Sequence, residues 1–371
     1  LEEDVKQLIA EGGDLDAMFI GGDIANSGQA HEFDAAGNWI ELLCGIGGIS
    51  HRQVYCVPGN HDVDRDAVAK DGLVRIAENF FRTCPVPEID KPLIEVLATK
   101  EGGEPFLKRL GNYHEFASRY DCPVTPEEYA WKRKLPEKLG GRSVVVVGLN
   151  SSMISSGRDG RDRCCADDER MFLGQGQAYL HRNDDSIVIA LCHHPLAWLR
   201  DAEAVRESLE RAQLQLFGHE HELEIESNES WVQITAGAVQ PPASQASASP
   251  AYNLIELQVE DEKMRVTLQA RKWDGKRFDA DPNHGSKKEI SLQLGGGQTT
   301  EPEEAVGVAS EIRREAMWQL MKRSPEARRS VLARMGLVPS DQPLTGFALG
   351  EAVAAVAERD RWTELAQELD K

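Results

Sequence analysis

The chain has 371 residues, with 42 basic against 62 acidic side chains and a formal net charge of −20. Its 41% hydrophobic content is enough to bury a sizeable core, so global disorder is excluded, and its length suits about two domains of ~150 residues. The acid surplus argues against a broad electrostatic grip on nucleic acid or anionic membrane, and the longest apolar runs, Val144–Leu149 and Ile187–Cys192, fall far short of the about 20 residues a membrane-spanning helix needs.

The chain opens at Leu1 on a helical pattern (Val5, Leu8, Ile9), with no signal-peptide pattern, and so reads as processed or as lacking its natural start. Ala17–Ile20 and Val54–Val57 read as buried strands, with a helix over Glu32–Cys44 between them. Residues 64–140 break the alternation and read as a mostly helical insertion (Val74, Ile76, Phe80, Phe81; Leu107, Leu110, Phe116). Ser143–Leu149 and Ser186–Cys192 read as sheet-centre strands, with a helix expected over Met171–His181. Leu214–Phe217 is a further strand, followed by Leu223–Ile225, Trp231–Thr235, Tyr252–Leu257 and Met264–Ala270. The alternation predicts a layered α/β fold with a largely parallel sheet.

Residues 240–250 read as a low-complexity loop and 294–304 as a linker. Beyond it, four helices are expected: Glu304–Arg323, Pro325–Gly336, Gly346–Ala357 and Arg359–Leu369. Their apolar positions, among them Val331, Leu332, Val356, Trp362 and Leu365, would build one small core. The domains expected are therefore 1–293, with an insertion at about 64–140, and 305–371. Seven cysteines without a CxxC pair argue against a zinc ribbon and for a reducing compartment, the cytoplasm.

Four motifs carry chemistry, each at the C-terminal end of a strand: Gly22-Asp23, Gly59-Asn60-His61-Asp62, His193-His194-Pro195 and Gly218-His219-Glu220-His221. Strand C-termini of an open α/β sheet converge on one edge, so four distant segments would meet there. Aspartate can bridge two cations, asparagine offers a neutral oxygen and imidazoles offer nitrogen, a donor set suited to a two-metal site. Two metals about 3.5–4 Å apart can hold a hydroxide and clamp both oxygens of an in-line displacement at phosphorus. Each motif alone has a bland structural reading; the four in this order do not.

These stretches (GDIANSG from Gly22, PGNHDVDR from Pro58, GLNSS from Gly148, HHPL from His193 and FGHEHE from Phe217) resemble the calcineurin-like metallophosphoesterases, in their bacterial branch, over about residues 1–270. The resemblance implies a four-layer α/β/β/α sandwich with a helical insertion, followed here by the small all-α C-terminal domain, in place of a purely parallel sheet. It implies two divalent metal ions (Mn favoured among Mn, Fe, Zn, Ni and Mg). Asp23 would bridge them, Asn60, His193 and His219 would bind one, and His221 the other. His61 would face the phosphate as a catalytic residue, Asp62 would orient His61, and His194 would support the ligands from behind. The family's first motif, Asp-x-His, occurs nowhere in the chain, and truncation before Leu1 is the expected reason.

The function this implies is dinuclear-metal hydrolysis of a phosphodiester or nucleotide phosphate by a metal-bridged hydroxide. A metal-dependent nuclease and a catalytically impaired scaffold stand as alternatives. Arg65, Arg158, Arg161 and Arg163 are candidate phosphate contacts or solvated loop charges, and Ser155–Asp168 reads as a mobile rim. The tail faintly resembles effector-associated, death-like adaptor domains through its Arg-Arg pairs and Arg361-Trp362…Leu365-Ala366, which would imply a protein partner and no chemistry.

Overall fold

The structure, a computed structural model, describes residues 1–292 except 161–162, 179, 181–184, 242–248, 261, 282–283 and 285. Further on it describes 316, 319–340, 342–344, 348–349, 352–353, 355–356 and 361–371. The expected linker, most of the 240–250 loop and Arg161 lie outside the described residues.

Helix α1 (Glu2–Gly12) leads into β1 (Met18–Ile20), which pairs in parallel with β2 (Val54–Cys56) across helix α2 (Ala30–Gly47). The register sets Ile20 opposite Cys56, so the loops after both strands leave the sheet side by side. Five helices follow: α3 (Arg65–Lys70), α4 (Gly72–Thr83), α5 (Asp90–Leu97), α6 (Lys100–Leu107) and α7 (Gly111–Ala117). Asp64 and Asp71 cap α3 and α4 by accepting backbone N–H groups of the first turn.

The main sheet is six-stranded, in the order β3-β4-β5-β6-β8-β7. Its strands are β3 (Trp131–Leu139), β4 (Arg142–Leu149), β5 (Ser186–Cys192), β6 (Leu214–His221), β7 (Glu224–Ser227) and β8 (Val232–Gly237). β4, β5, β6 and β8 are parallel, while β3 and β7 close the edges antiparallel. Val144–Val147 and Ile187–Cys192 are buried throughout, because a strand covered on both faces leaves no side for polar groups. A second, antiparallel sheet joins β9 (Ala251–Glu260), β10 (Lys263–Trp273), β11 (Phe278–Ala280) and β12 (Ser286–Ser291). One apolar core takes in residues of both sheets, of β2, and of the flanking helices.

Two expectations need correction. The helical insertion ends before residue 131, since 131–139 is the edge strand β3; Pro136 sits where its pairing with β4 slips between Lys134 and Lys138, a place a proline tolerates. The helix expected over Met171–His181 shrinks to α8 (Gln175–Ala178). Met171 instead bridges Leu199, and Gly174 turns the chain at φ +78°. The sheets, one mixed and one antiparallel, agree with the layered α/β fold that the resemblance implies in place of a purely parallel sheet; short hairpin connections permit the antiparallel neighbours.

Within the rim expected over 155–168, Ser155, Arg158, Asp159 and Asp168 are held by hydrogen bonds to the insertion. The fully buried Arg82 of α4 pairs with Glu78 at 2.9 Å and with Asp159 at 2.5 Å, and donates to the carbonyls of Ile154 and Asp168. Arg109, equally buried, donates to the Ser155 carbonyl at 2.9 Å. Arg158 donates to Asn79.

In the tail, α10 (Pro325–Arg334) and α11 (Trp362–Leu369) are two of the four helices expected; much of the others lies outside the described residues. Their apolar cluster (Leu320, Val331, Leu332, Trp362, Leu365, Leu369) also takes in Ile94 and Ala98 at α5. Helix α9 (Ala202–Leu209) completes the described helices of the main unit. Among the described residues, no helix is long and apolar enough to cross a membrane.

Candidate metal centre

Asp23 follows β1, Asn60 follows β2, His193 follows β5, and His219 and His221 end β6. The four segments do meet. The Gly218 N–H donates to the His193 carbonyl at 3.0 Å, and the His61 N–H donates to Asp23 Oδ1 at 2.8 Å. Gly59 makes the approach possible: a Cβ there would lie 2.2 Å from Asp23 Oδ1 and 2.8 Å from His193 Cε1. Of the five non-glycine residues with positive φ among those described, three are Asp23 (+54°), His219 (+71°) and His221 (+59°). Such backbone is rare outside glycine and gathers at functional sites.

Asn60 Oδ1 lies 3.0 Å from His193 Nε2 and 3.1 Å from His219 Nδ1, and those two nitrogens are 3.2 Å apart. Asp23 Oδ1 is 3.5 Å from His193 Nε2. The His193 ring donates from Nδ1 to the Gly21 carbonyl at 2.7 Å, which leaves Nε2 with a lone pair aimed at this cluster. Burial, and then the neighbouring His193, push His219 down to about 3. Burial also outweighs the pull of Asp23 and holds His193 below the usual histidine range. Neutral rings present lone pairs, so three acceptor atoms face one another with at most one ring proton to share. Cis ligands of an octahedral cation with bonds of about 2.1 Å stand about 3.0 Å apart, so a divalent ion fits this donor set.

Burial pushes Asp23 up, but His193, His61 and the His61 N–H outweigh it and hold the carboxylate below its ordinary range. His221 lies near enough to His193 and His219 to lower both. His194 is buried, with Nδ1 2.8 Å from Ser151 Oγ; ligating atoms of His193, His194 and His219 all lie within 4.8 Å of one another.

The expected pairing of Asp62 with His61 is replaced by another arrangement. The Asp62 carboxylate accepts the Ala25 N–H at 2.7 Å and the Gly59 N–H at 2.8 Å, which ties the two loops together from beneath. Burial, then the charge of Asp23, push Asp62 up to about 8. His61 is oriented by the Asn26 carbonyl, to which Nδ1 donates at 2.9 Å. A backbone carbonyl leaves no mark in a motif, so the resemblance pointed to the Asp62 carboxylate instead. Sequence reasoning also missed Trp198, whose ring stands edge-on to His219 with centroids 4.1 Å apart. Of the candidate phosphate-binding arginines, Arg163 contacts Glu220 at 2.8 Å and Glu224 at 2.6 Å, and Arg65 is exposed at the start of α3.

The family model of the calcineurin-like phosphoesterases matches residues 1–223. The chain is 23% identical over 279 residues to the uncharacterized metallophosphoesterase-like protein YydB of Bacillus subtilis (strain 168), across 71% of this chain and 53% of that protein. The chain thus spans about half the length of the curated relative it matches. Among solved structures, it is similar to Vacuolar Protein Sorting 29 from Cryptosporidium parvum (21% identity, 28% of this chain and 51% of that one, TM-score 0.21). It is also similar to a candidate 5′-nucleotidase from Staphylococcus aureus in complex with alpha-ketoglutarate (10% identity, 71% of this chain and 49% of that one, TM-score 0.23).

Proposed function

From the premise that the chain belongs to the calcineurin-like phosphoesterase family, whose chemistry is metal-dependent phosphoester hydrolysis, we propose that it hydrolyses a phosphodiester or nucleotide phosphate at this centre. The observation that supports the reading best is the meeting of Asn60 Oδ1, His193 Nε2 and His219 Nδ1 within 3.2 Å of one another, on rings kept neutral by burial. The family generally uses two divalent metals. When bound, such cations supply Lewis-acid charge to phosphoryl oxygens and acidify a water.

In our reading Asp23, Asn60, His193 and His219 hold one cation, and Asp23 and His221 contribute to the other; Mn²⁺ is the ion we favour. His61 keeps its Nδ1 proton on the Asn26 carbonyl, so Nε2 is the nitrogen that faces the reaction; as an imidazolium the ring would give its Nε2 proton to the leaving oxygen and remain as the neutral Nδ1–H form. Asp62 acts on the site indirectly, by fixing the loops that carry Asp23 and Asn60. His194 braces the ring stack from behind, held by Ser151. A cytoplasmic setting and a partner-binding role for residues 305–371 belong to the same proposal, the first resting on cysteine usage and the second on the tail's sequence.

The test uses the full chain, stripped of metal and reloaded with Mn²⁺, on a generic aryl phosphodiester. Asp23→Asn and His61→Ala should each lower turnover by about 100-fold or more, for His61 the lower end of the range for a general acid. His61→Ala should keep its metal content. Loss of metal in that variant would mean that His61 is a ligand and its role is wrongly assigned. A wild-type chain that takes up no metal and turns over no phosphoester would overturn the proposal.

A further inference from the structure

We propose that Trp198 and Arg163 clamp Glu220, and that the clamp holds His219 in the conformation that receives a divalent cation, so that all three are positioning residues. This rests on the metal reading above. His219 and His221 both have left-handed backbone, at φ +71° and +59°, with Glu220 between them. Residues with side chains keep such backbone only where their surroundings enforce it. The sheet ladder does not enforce it here, because the β6–β8 register slips between Phe217 and His221.

The Glu220 side chain supplies the anchor. Its Oε1 accepts the indole N–H of Trp198 and the Nε–H of Arg163, the latter at 2.8 Å. Arg163 reaches on to Glu224 at 2.6 Å, and Arg170 holds the Arg163 carbonyl at 3.1 Å. Glu220 thus spends Oε1 on two donors, neither of which belongs to the ligand cluster. Trp198 links two ligands at once. It stands in the turn Leu196–Trp198, just after His193, His194 and Pro195, and its buried ring packs edge-on against the His219 imidazole at 4.1 Å and 79°. A buried indole N–H requires an acceptor, and here the acceptor neighbours the ligand that the ring touches.

The experiment measures Mn²⁺ affinity of the metal-stripped full chain by isothermal titration calorimetry, with intrinsic fluorescence in parallel. Trp198→Phe keeps an aromatic edge on His219 and removes the N–H; Glu220→Ala removes the acceptor. Each should weaken Mn²⁺ binding by roughly 10- to 100-fold, the usual cost of losing a group that orients a metal ligand. The double variant should bind no more weakly than the worse single one, because both break the same link. Glu220→Gln, which retains an acceptor oxygen, should bind more tightly than Glu220→Ala. Mn²⁺ should quench wild-type fluorescence, and Trp198→Phe should lose that component.

If the wild type binds no Mn²⁺, the metal reading itself fails. If the wild type binds and both single variants bind as tightly, the clamp is wrong while the metal reading stands. Additive losses in the double variant would also overturn the clamp, since they would mean that Trp198 acts by packing alone. Should Trp198→Phe fail to fold, the comparison of Glu220→Ala with Glu220→Gln decides the matter, and equal affinities there refute the clamp.

Discussion

Replacing Gly59 with alanine places a methyl group 2.2 Å from Asp23 Oδ1, 2.3 Å from Asp23 N and 2.8 Å from His193 Cε1. Ordinary contact begins at 3.4 Å, so the Asp23 carboxylate must retreat by about 1.2 Å (3.4 − 2.2) or the Gly59–Asp62 turn must lift by as much. Neither shift is cheap. Asp23 Oδ1 holds the His61 N–H at 2.8 Å, and Asp62 ties the turn to Ala25 and Gly59. Overpacking of this kind costs about 1–3 kcal/mol of stability. The same movement opens donor spacings of 3.0–3.5 Å that suit one cation. A displacement of about 1 Å at reacting groups costs on the order of 100-fold in rate, so turnover of an aryl phosphodiester should fall by that factor. Gly45→Ala is the control: nothing lies within 4 Å of the added methyl on α2, and helix propensity there favours alanine by up to about 1 kcal/mol. The assays are urea denaturation in EDTA, Mn²⁺ calorimetry and steady-state hydrolysis. Wild-type metal affinity and turnover in Gly59→Ala, with the fold intact, would refute the packing on which the site is built.

Three further outcomes are expected. Burial pushes Asp201 up to about 6, against backbone N–H donors from Gly174 and Leu173 that pull it down. Its folded pKa is raised above that of the free carboxyl, so its contribution to stability is present below about pH 4 and is lost as pH rises through about 6. Relative to Asp201→Asn, the wild type should lose up to about 3 kcal/mol between pH 4 and 7 in denaturant titrations, and parallel pH profiles would refute this. Arg82→Met leaves Asp159 buried without its cation and Glu78 with only Arg109, at 3.7 Å, so urea unfolding should show a loss of about 3 kcal/mol or more; a loss under 1 would mean the network is solvated. Ending the chain at Leu292 uncovers Ile94 and Ala98 at α5, and the remainder should unfold about 2 kcal/mol more easily, the worth of one buried isoleucine. An unchanged urea midpoint would mean the tail does not cover α5 in solution.

The meeting of Asp23, Asn60, His193 and His219 was legible because its logic is local. An apolar stretch followed by a short polar motif recurs at β1, β2, β5 and β6, with a glycine opening the motif at all but β5, and strand ends of one sheet edge must converge. Trp131–Leu139 was misread because five of its nine residues are charged (Lys132, Arg133, Lys134, Glu137 and Lys138) and few are apolar; an edge strand needs only one covered face, and that weak pattern passes for a helix. The Asp62–His61 pairing failed for a different reason. Both residues are where the motif puts them, but a backbone carbonyl from Asn26 arrives from another loop and takes the imidazole proton. The roles of Trp198 and Glu220 were hidden in the same way, since each depends on a contact between segments 22 residues apart. Arg82 and Arg109 drew no notice in the sequence, and only the folded chain shows them fully buried within the insertion.

The edge strand β3 also bears on how the protein behaves among its own copies. An open sheet edge is a template on which another chain can add a strand, the first step toward aggregates. Lys132, Lys134 and Lys138 line this edge strand, and Pro136 removes one N–H and slips the register. A second chain docking here would meet like charge and a gap in its hydrogen-bond ladder. The same four residues that obscured the strand in the sequence are therefore those that keep the sheet from growing beyond the molecule.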